Sequence, residues 1–114
     1  MVIDNLIALL SELCNKVIQQ GSLAPDEEYP PKMFTFWQHT SDDYKHYDNK
    51  AFGCVWVIDV NYYSTDPLDV YNTLEQARQK LLQNGWRISG KGHDVASDNT
   101  THTGRGFTAT YIEN

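Results

Sequence analysis

Ala51-Phe52-Gly53-Cys54-Val55-Trp56-Val57-Ile58-Asp59-Val60-Asn61-Tyr62-Tyr63 repeats with a period of two, and Phe52, Cys54, Trp56, Ile58, Val60 and Tyr62 form an unbroken apolar face. Successive side chains of a strand point to opposite sides, so this is the signature of a long β-strand. The intervening positions are apolar at Val55 and Val57 but polar at Asp59 and Asn61. The first half is therefore expected to be covered on both faces and the second to be wet on one.

On the N-terminal side of this run, Phe34-Thr35-Phe36-Trp37 reads as a short strand, and Gln38 to Lys50 as a polar excursion that returns through Tyr47-Asp48-Asn49-Lys50. The two strands make a long-looped hairpin. On the C-terminal side, Asp66 is a good N-cap, Pro67 fits the first helical position and Asp69 lies near the positive end of the helix dipole. Leu68, Tyr71, Leu74, Ala77 and Leu81 follow helical spacing, and Asn84-Gly85 is a stop signal. Trp86-Arg87-Ile88-Ser89 and Phe107-Thr108-Ala109-Thr110-Tyr111-Ile112 supply two further strands. Gly90-Lys91-Gly92 and Gly104-Arg105-Gly106 bracket the polar loop between them, and the expected task of these glycines is to permit bends or positive φ.

Upstream, Ile3, Leu6, Leu10, Leu13 and Val17 lie on one helical stripe that predicts a helix over 1–21, ending at Gly21. Residues 22–33 carry Pro25, Pro30 and Pro31 with Asp26-Glu27-Glu28 and read as a solvated linker. The expected architecture is one α+β domain over 1–114 in the order α-β-β-α-β-β. Its antiparallel sheet of about four strands spans 34–114 together with the second helix, and the helices pack on one face.

Composition sets outer limits. The 114 residues, 40% hydrophobic, suffice for one core. The longest apolar stretch is far short of a membrane span and the start lacks a secretory pattern, so a soluble protein made in the cytoplasm is expected. Fifteen acidic against nine basic residues give a net charge of −6 with no basic cluster, which argues against a phosphate-gripping face. Cys14 and Cys54 form no CxxC pair and read as two buried thiols.

Three polar groups merit a test for chemistry. His39, Asp42, Asp43, His46 and Asp48 are all metal-ligand types, but they lack the fixed spacing of a zinc framework, and a solvated or subunit-contacting loop is favoured. His93, Asp94, His102 and Arg105 with Ser97 have no strand-turn-helix elbow to present a nucleophile. Neither glycine pair has P-loop spacing or opens a helix, whereas Lys91 and Arg105 are placed to pair with Asp94 or with an acid of another subunit. Among the aromatics, Phe52, Trp56, Tyr71 and Trp86 fall at core positions. Trp37, Tyr44, Tyr47 and Tyr63 border polar loops, where aromatic residues act as contact anchors.

A wider pattern joins these segments. Phe34-Thr35-Phe36-Trp37, Asp42-Asp43 with Tyr47-Asp48-Asn49-Lys50, Tyr63-Ser64-Thr65-Asp66-Pro67, Gly90-Lys91-Gly92-His93-Asp94-Val95 and His102-Thr103-Gly104-Arg105-Gly106 together resemble small tail-completion or tail-terminator proteins of siphophages and prophages of Gram-positive bacteria. The resemblance covers about residues 30 to 113. It implies an α+β virion subunit, assembled in the host cytoplasm, that forms a ring, usually hexameric. Such a ring caps the tail tube, contacts the major tail-tube protein and a head-completion or connector protein, and lets DNA pass without specific binding. It implies no catalytic residues, no metal, no cofactor and no membrane. Under this reading Trp37, Asp42, Asp43, Tyr44 and Tyr47 in the first loop, and His93, Asp94, Arg105 and Phe107 around the second, are the expected contacts with neighbouring subunits or the tube. Two alternatives stay open: a small metal-dependent hydrolase using His39, Asp42, Asp43 and His46, and a monomeric protein-binding adaptor.

Overall fold

The computed structural model describes residues 2–19, 30–47, 50–96 and 101–113, with the side chains of 39–47 and 50–53 outside that description. The class is α+β: two helices and a mixed sheet of six strands. Both the strand count and the purely antiparallel arrangement expected from the sequence are corrected.

The first correction lies at the N-terminus. Helix α1 covers Val2–Ser11 and buries Val2, Leu6 and Leu10, spaced four apart on one face. It stops well before Gly21. The chain turns at Leu13 and Cys14, whose amides both reach the Leu10 carbonyl, and Val17–Gln19 forms strand β1. Val17 and Ile18 fit the helical stripe, yet they are adjacent β-branched residues, and the edge of the next strand offers them backbone partners. The pairing is parallel, Val17 opposite Phe34 and Gln19 opposite Phe36, and the connection over residues 20–31 has the length a parallel crossover needs. Within the expected linker, Lys32 and Met33 already belong to β2, while residues 20–29 lie outside the described residues.

The second correction concerns the polar excursion. Strand β2 runs over Lys32–Tyr47 and pairs antiparallel with β3, Lys50–Ser64, along nearly its whole length. The ladder absorbs register shifts between Gln38 and Thr40, Asp43 and Lys45, and Lys45 and His46. Such a ladder needs no apolar alternation on β2, because backbone pairing alone satisfies its amides and carbonyls, and bulges accommodate the irregularity.

Helix α2, Pro67–Gln83, starts as its sequence dictates. Asp66 caps it by accepting from the Leu68 amide at 3.1 Å, and Gly85 leaves it with φ of 91°. The buried stripe is Val70, Thr73, Leu74, Ala77 and Leu81, whereas Leu68 and Tyr71 are exposed. The cap fixes Leu68 in the first turn, on the side of the helix opposite Val70 and Leu74, which face the core.

After α2 the chain forms β4 (Arg87–Ile88), β5 (His93–Val95) and β6 (Thr103–Glu113). The sheet order is β1-β2-β3-β6-β4, with β5 also paired to β6. Strand β5 falls inside the stretch expected to be loop. Phe34 and Phe36 of β2, Ile58, Val60 and Tyr62 of β3, and Phe107 and Ala109 of β6 join the buried residues of both helices in one core. The alternating apolar face of β3 is thus the face the helices cover. Trp86 is buried with its ring 5.1 Å from that of Tyr111, while Trp56 packs on the core margin and donates its indole N–H to Glu113 at 3.1 Å.

Cys14 carries a buried thiol and Cys54 a partly buried one. The molecule measures 53 × 29 × 22 Å, with a radius of gyration of 15.1 Å, against about 13 Å for a compact chain of this size. The ribbon accounts for the excess: the β3–β6 ladder ends at Cys54 opposite Glu113, whereas β2 and β3 stay paired as far as Tyr47 opposite Lys50.

Candidate functional site

Two regions stand out from the core. The first is the β2–β3 ribbon. Asp42, Asp43, Tyr44 and Tyr47 all lie on β2, with Asp42 opposite Val55, Asp43 opposite Cys54, Tyr47 opposite Lys50, and Tyr44 at a register shift. Their side chains are outside the described ones. Strand β1 covers β2 only from Phe34 to Phe36, so beyond that point the other edge of β2 has no strand partner among the described residues. Unpaired edge amides and carbonyls are a template for another strand. Trp37 stands where this edge begins, 50% exposed and opposite Asp59, whose carboxylate accepts from the Thr108 hydroxyl at 2.7 Å. Both Trp37 and Asp59 occupy the face away from the helices, as their alternation with Phe36 and Ile58 requires.

The second region is where β5, β6 and α2 meet. Arg105 donates to Asp94 at 2.7 Å, and its guanidinium lies 4.8 Å from the centre of the Tyr71 ring. The register sets Asp94 directly opposite Arg105 and His93 opposite Gly106. The expected Arg105–Asp94 pairing therefore exists, and His93 lies exposed beside it. Tyr71, expected in the core, is instead a half-exposed platform for a cation. With Asp94 open to water, the ion pair contributes at most about 1 kcal/mol. Phe107 departs from expectation. Its ring is 1% exposed in the core, because it shares the helix-facing side of β6 with Ala109, so it offers no surface to a partner.

The catalytic alternatives gain no geometry. Among the described residues no three His, Cys, Asp or Glu side chains converge on a common point. His39, Asp42, Asp43 and His46 are β2 residues without described side chains, and Asp48 and Ser97 lie outside the described residues altogether. His102 is a buried joint: Nε2 is 2.7 Å from the Pro30 carbonyl oxygen and Nδ1 is 3.0 Å from the Thr101 hydroxyl, tying the approach to β6 to the approach to β2.

The glycines divide into two uses. Gly90 and Gly92 have φ of 77° and 100°, the left-handed region that side chains avoid. Gly106 serves close packing, since a Cβ there would meet the Val60 carbonyl at 2.8 Å and collide with the Asn61 side chain.

Sequence reasoning missed a bay formed where β4 gives way to β5. Ile88 faces Ala109 and His93 faces Gly106, so Ser89–Gly92 must span the gap opposite only Phe107 and Thr108, and the extra length swings outward. The resulting open bay of about 770 Å³ is lined by Arg87, Lys91, His93, Ser89, Thr108 and Thr110, among others. Its outer wall is held by Arg78, which donates to the Gly90 carbonyl at 2.8 Å. The one sequence signal was alternation: Trp86 and Ile88 turn inward, which leaves Arg87 outward beside Gly90-Lys91-Gly92.

No protein-family model matches this chain, and no curated protein matches it significantly.

Proposed function

We propose that this chain is a non-enzymatic virion assembly subunit, a tail terminator that closes into a ring on the phage tail tube and joins it to the head-side connector. The reading starts from the resemblance carried by Phe34–Trp37, Asp42-Asp43, Tyr63–Pro67 and the two glycine-flanked segments. The observation that carries it furthest is the β2–β3 ribbon, which extends past the end of β6 with one backbone edge unpaired beyond Phe36 among the described residues. A projecting ribbon with an open edge suits contact with another polypeptide, and a heterologous contact that closes after a fixed rotation produces a ring. Trp37, half exposed at the root of the ribbon, is a suitable anchor for that contact. Arg105 and Asp94 form the polar counterpart at the far end of the sheet.

Sedimentation velocity and negative-stain electron microscopy of the purified protein test the reading. Rings are expected, and Trp37→Ala should leave the subunit folded while weakening ring closure or tail capping. A protein that stays monomeric at the highest attainable concentration and leaves tail length unchanged would overturn it. Stoichiometric zinc or manganese in protein purified without added metal would favour the hydrolase instead.

A further inference from the structure

The bay between β4 and β5 is a cationic patch on an acidic molecule. Of the cations with described side chains on α2, β5 and β6, Arg78 pairs with Glu75 at 2.9 Å, Lys80 with Glu12 at 3.0 Å and Arg105 with Asp94 at 2.7 Å. Arg87 and Lys91 differ. Both are exposed, and among the described residues neither makes a hydrogen bond or ion pair; Glu75 feels the Lys91 charge but is engaged by Gln79 and Arg78. Ser89 and Thr110 add hydroxyl groups to the same lining, where the Thr108 hydroxyl is already donated to Asp59. Two cations without an ion-pair contact among the described residues, set beside hydroxyl groups in a concave site, are the complement of carboxylates.

We propose that this bay receives carboxylate side chains from a second copy of this chain. The proposal rests on the ring reading and specifies one side of the subunit contact. Charge complementarity selects the occupant: with fifteen acids against nine bases, another copy is rich in the groups the bay lacks. The same charges also fix the symmetry. A two-fold contact centred on the bay would set Arg87 and Lys91 against Arg87 and Lys91 of the other copy, a like-charge juxtaposition, so the bay must meet a different surface. Such a head-to-tail contact either closes as a ring or continues as a filament.

Zero-length carbodiimide coupling joins a Lys amine to a touching carboxylate and can be run on a mixture of isotopically light and heavy full-length protein. Mixed light–heavy peptides linking Lys91 to an acid are expected, and they should fade as salt is raised. The Arg87→Glu, Lys91→Glu double variant should melt like wild type, since both positions are exposed, yet raise the dissociation constant for self-association by about a hundredfold. If wild type assembles but Lys91 couples only within one chain and the double variant assembles equally well, the bay inference fails while the ring reading stands. If wild type never assembles, the ring reading fails and takes this contact with it. Retention of short duplex DNA by wild type but not by the double variant would overturn the carboxylate assignment in favour of phosphate.

Discussion

The Tyr62 hydroxyl donates to the Asp69 carboxylate at 2.7 Å, fastening the central strand β3 to the first turn of α2. Thr73 donates to the other carboxylate oxygen, also at 2.7 Å. The contact unites the two most legible elements of the sequence, because Tyr62 belongs to the apolar face of β3 and Asp69 to the acidic first turn after the Asp66-Pro67 start. Burial and the adjacent Asp69 charge both push the Tyr62 phenol to a raised pKa, so it remains a donor throughout the ordinary pH range. Tyr62→Phe keeps the ring packed against Phe34, at 4.6 Å between centroids, and removes only the bond. A loss of about 1.5–3 kcal/mol is expected for a bond to a charged acceptor, measured by urea unfolding at neutral pH.

The same carboxylate makes stability depend on acid. Partial burial acts to raise the Asp69 pKa, but donors from Thr73, Tyr62 and Ser64 outweigh it and hold the group below the ordinary Asp value. A folded-state pKa below the unfolded one means the stabilisation is fully present above the unfolded pKa, about 3.9 for Asp, and disappears as pH falls through the folded value. The stability difference between wild type and Asp69→Asn should therefore shrink as pH is lowered below that point. A difference that stays constant across an acid titration of the unfolding midpoint would contradict this.

Gly92 and Gly106 form a matched pair of tight positions. A Cβ on Gly92 would lie 2.8 Å from the Gly106 carbonyl oxygen, at a φ of 100°, and one on Gly106 would collide with Asn61. Gly92→Ala and Gly106→Ala should each cost about 1–3 kcal/mol. Gly90→Ala meets no atom within 4 Å and incurs only the strain of its positive φ, about 1 kcal/mol. Thermal melts of the three variants should rank in that order.

Two leucines of α2 separate packing from pattern. Leu74 is 2% exposed and Leu68 72% exposed. Leu74→Ala should lose about 2–5 kcal/mol and Leu68→Ala no more than about 0.5. Equal losses in denaturant titrations would show that the helix is rotated from the orientation described.

These comparisons mark what the sequence made readable. Helix α2 was readable because Asp66-Pro67 and Asn84-Gly85 punctuate both ends, and β3 because every second residue from Cys54 to Tyr62 is apolar. Strand β1 was not, since Val17 and Ile18 fit a helical stripe equally well and only the edge of β2, far along the chain, decides between the two. The extension of β2 past Trp37 was hidden for the opposite reason: backbone pairing holds it, and backbone pairing leaves no apolar period in the side chains. The Arg105–Asp94 pair was anticipated from charge and proximity, while the outcome at Phe107 followed from strand parity. The bay arises from a mismatch of strand lengths, a property of pairing that no local pattern encodes.

The parallel strand β1 has a consequence for how the fold opens. Strands β2, β3, β6, β4 and β5 satisfy one another in antiparallel pairs, whereas among the described residues Val17–Gln19 dock on three residues of β2, and Leu6 and Leu10 of the preceding helix are fully buried beneath the sheet. The amino-terminal segment thus covers a core whose sheet comes mostly from later in the chain. In native-state amide exchange, Val17 to Gln19 and α1 should open together as one unit, at lower free energy than Ile58 to Tyr62.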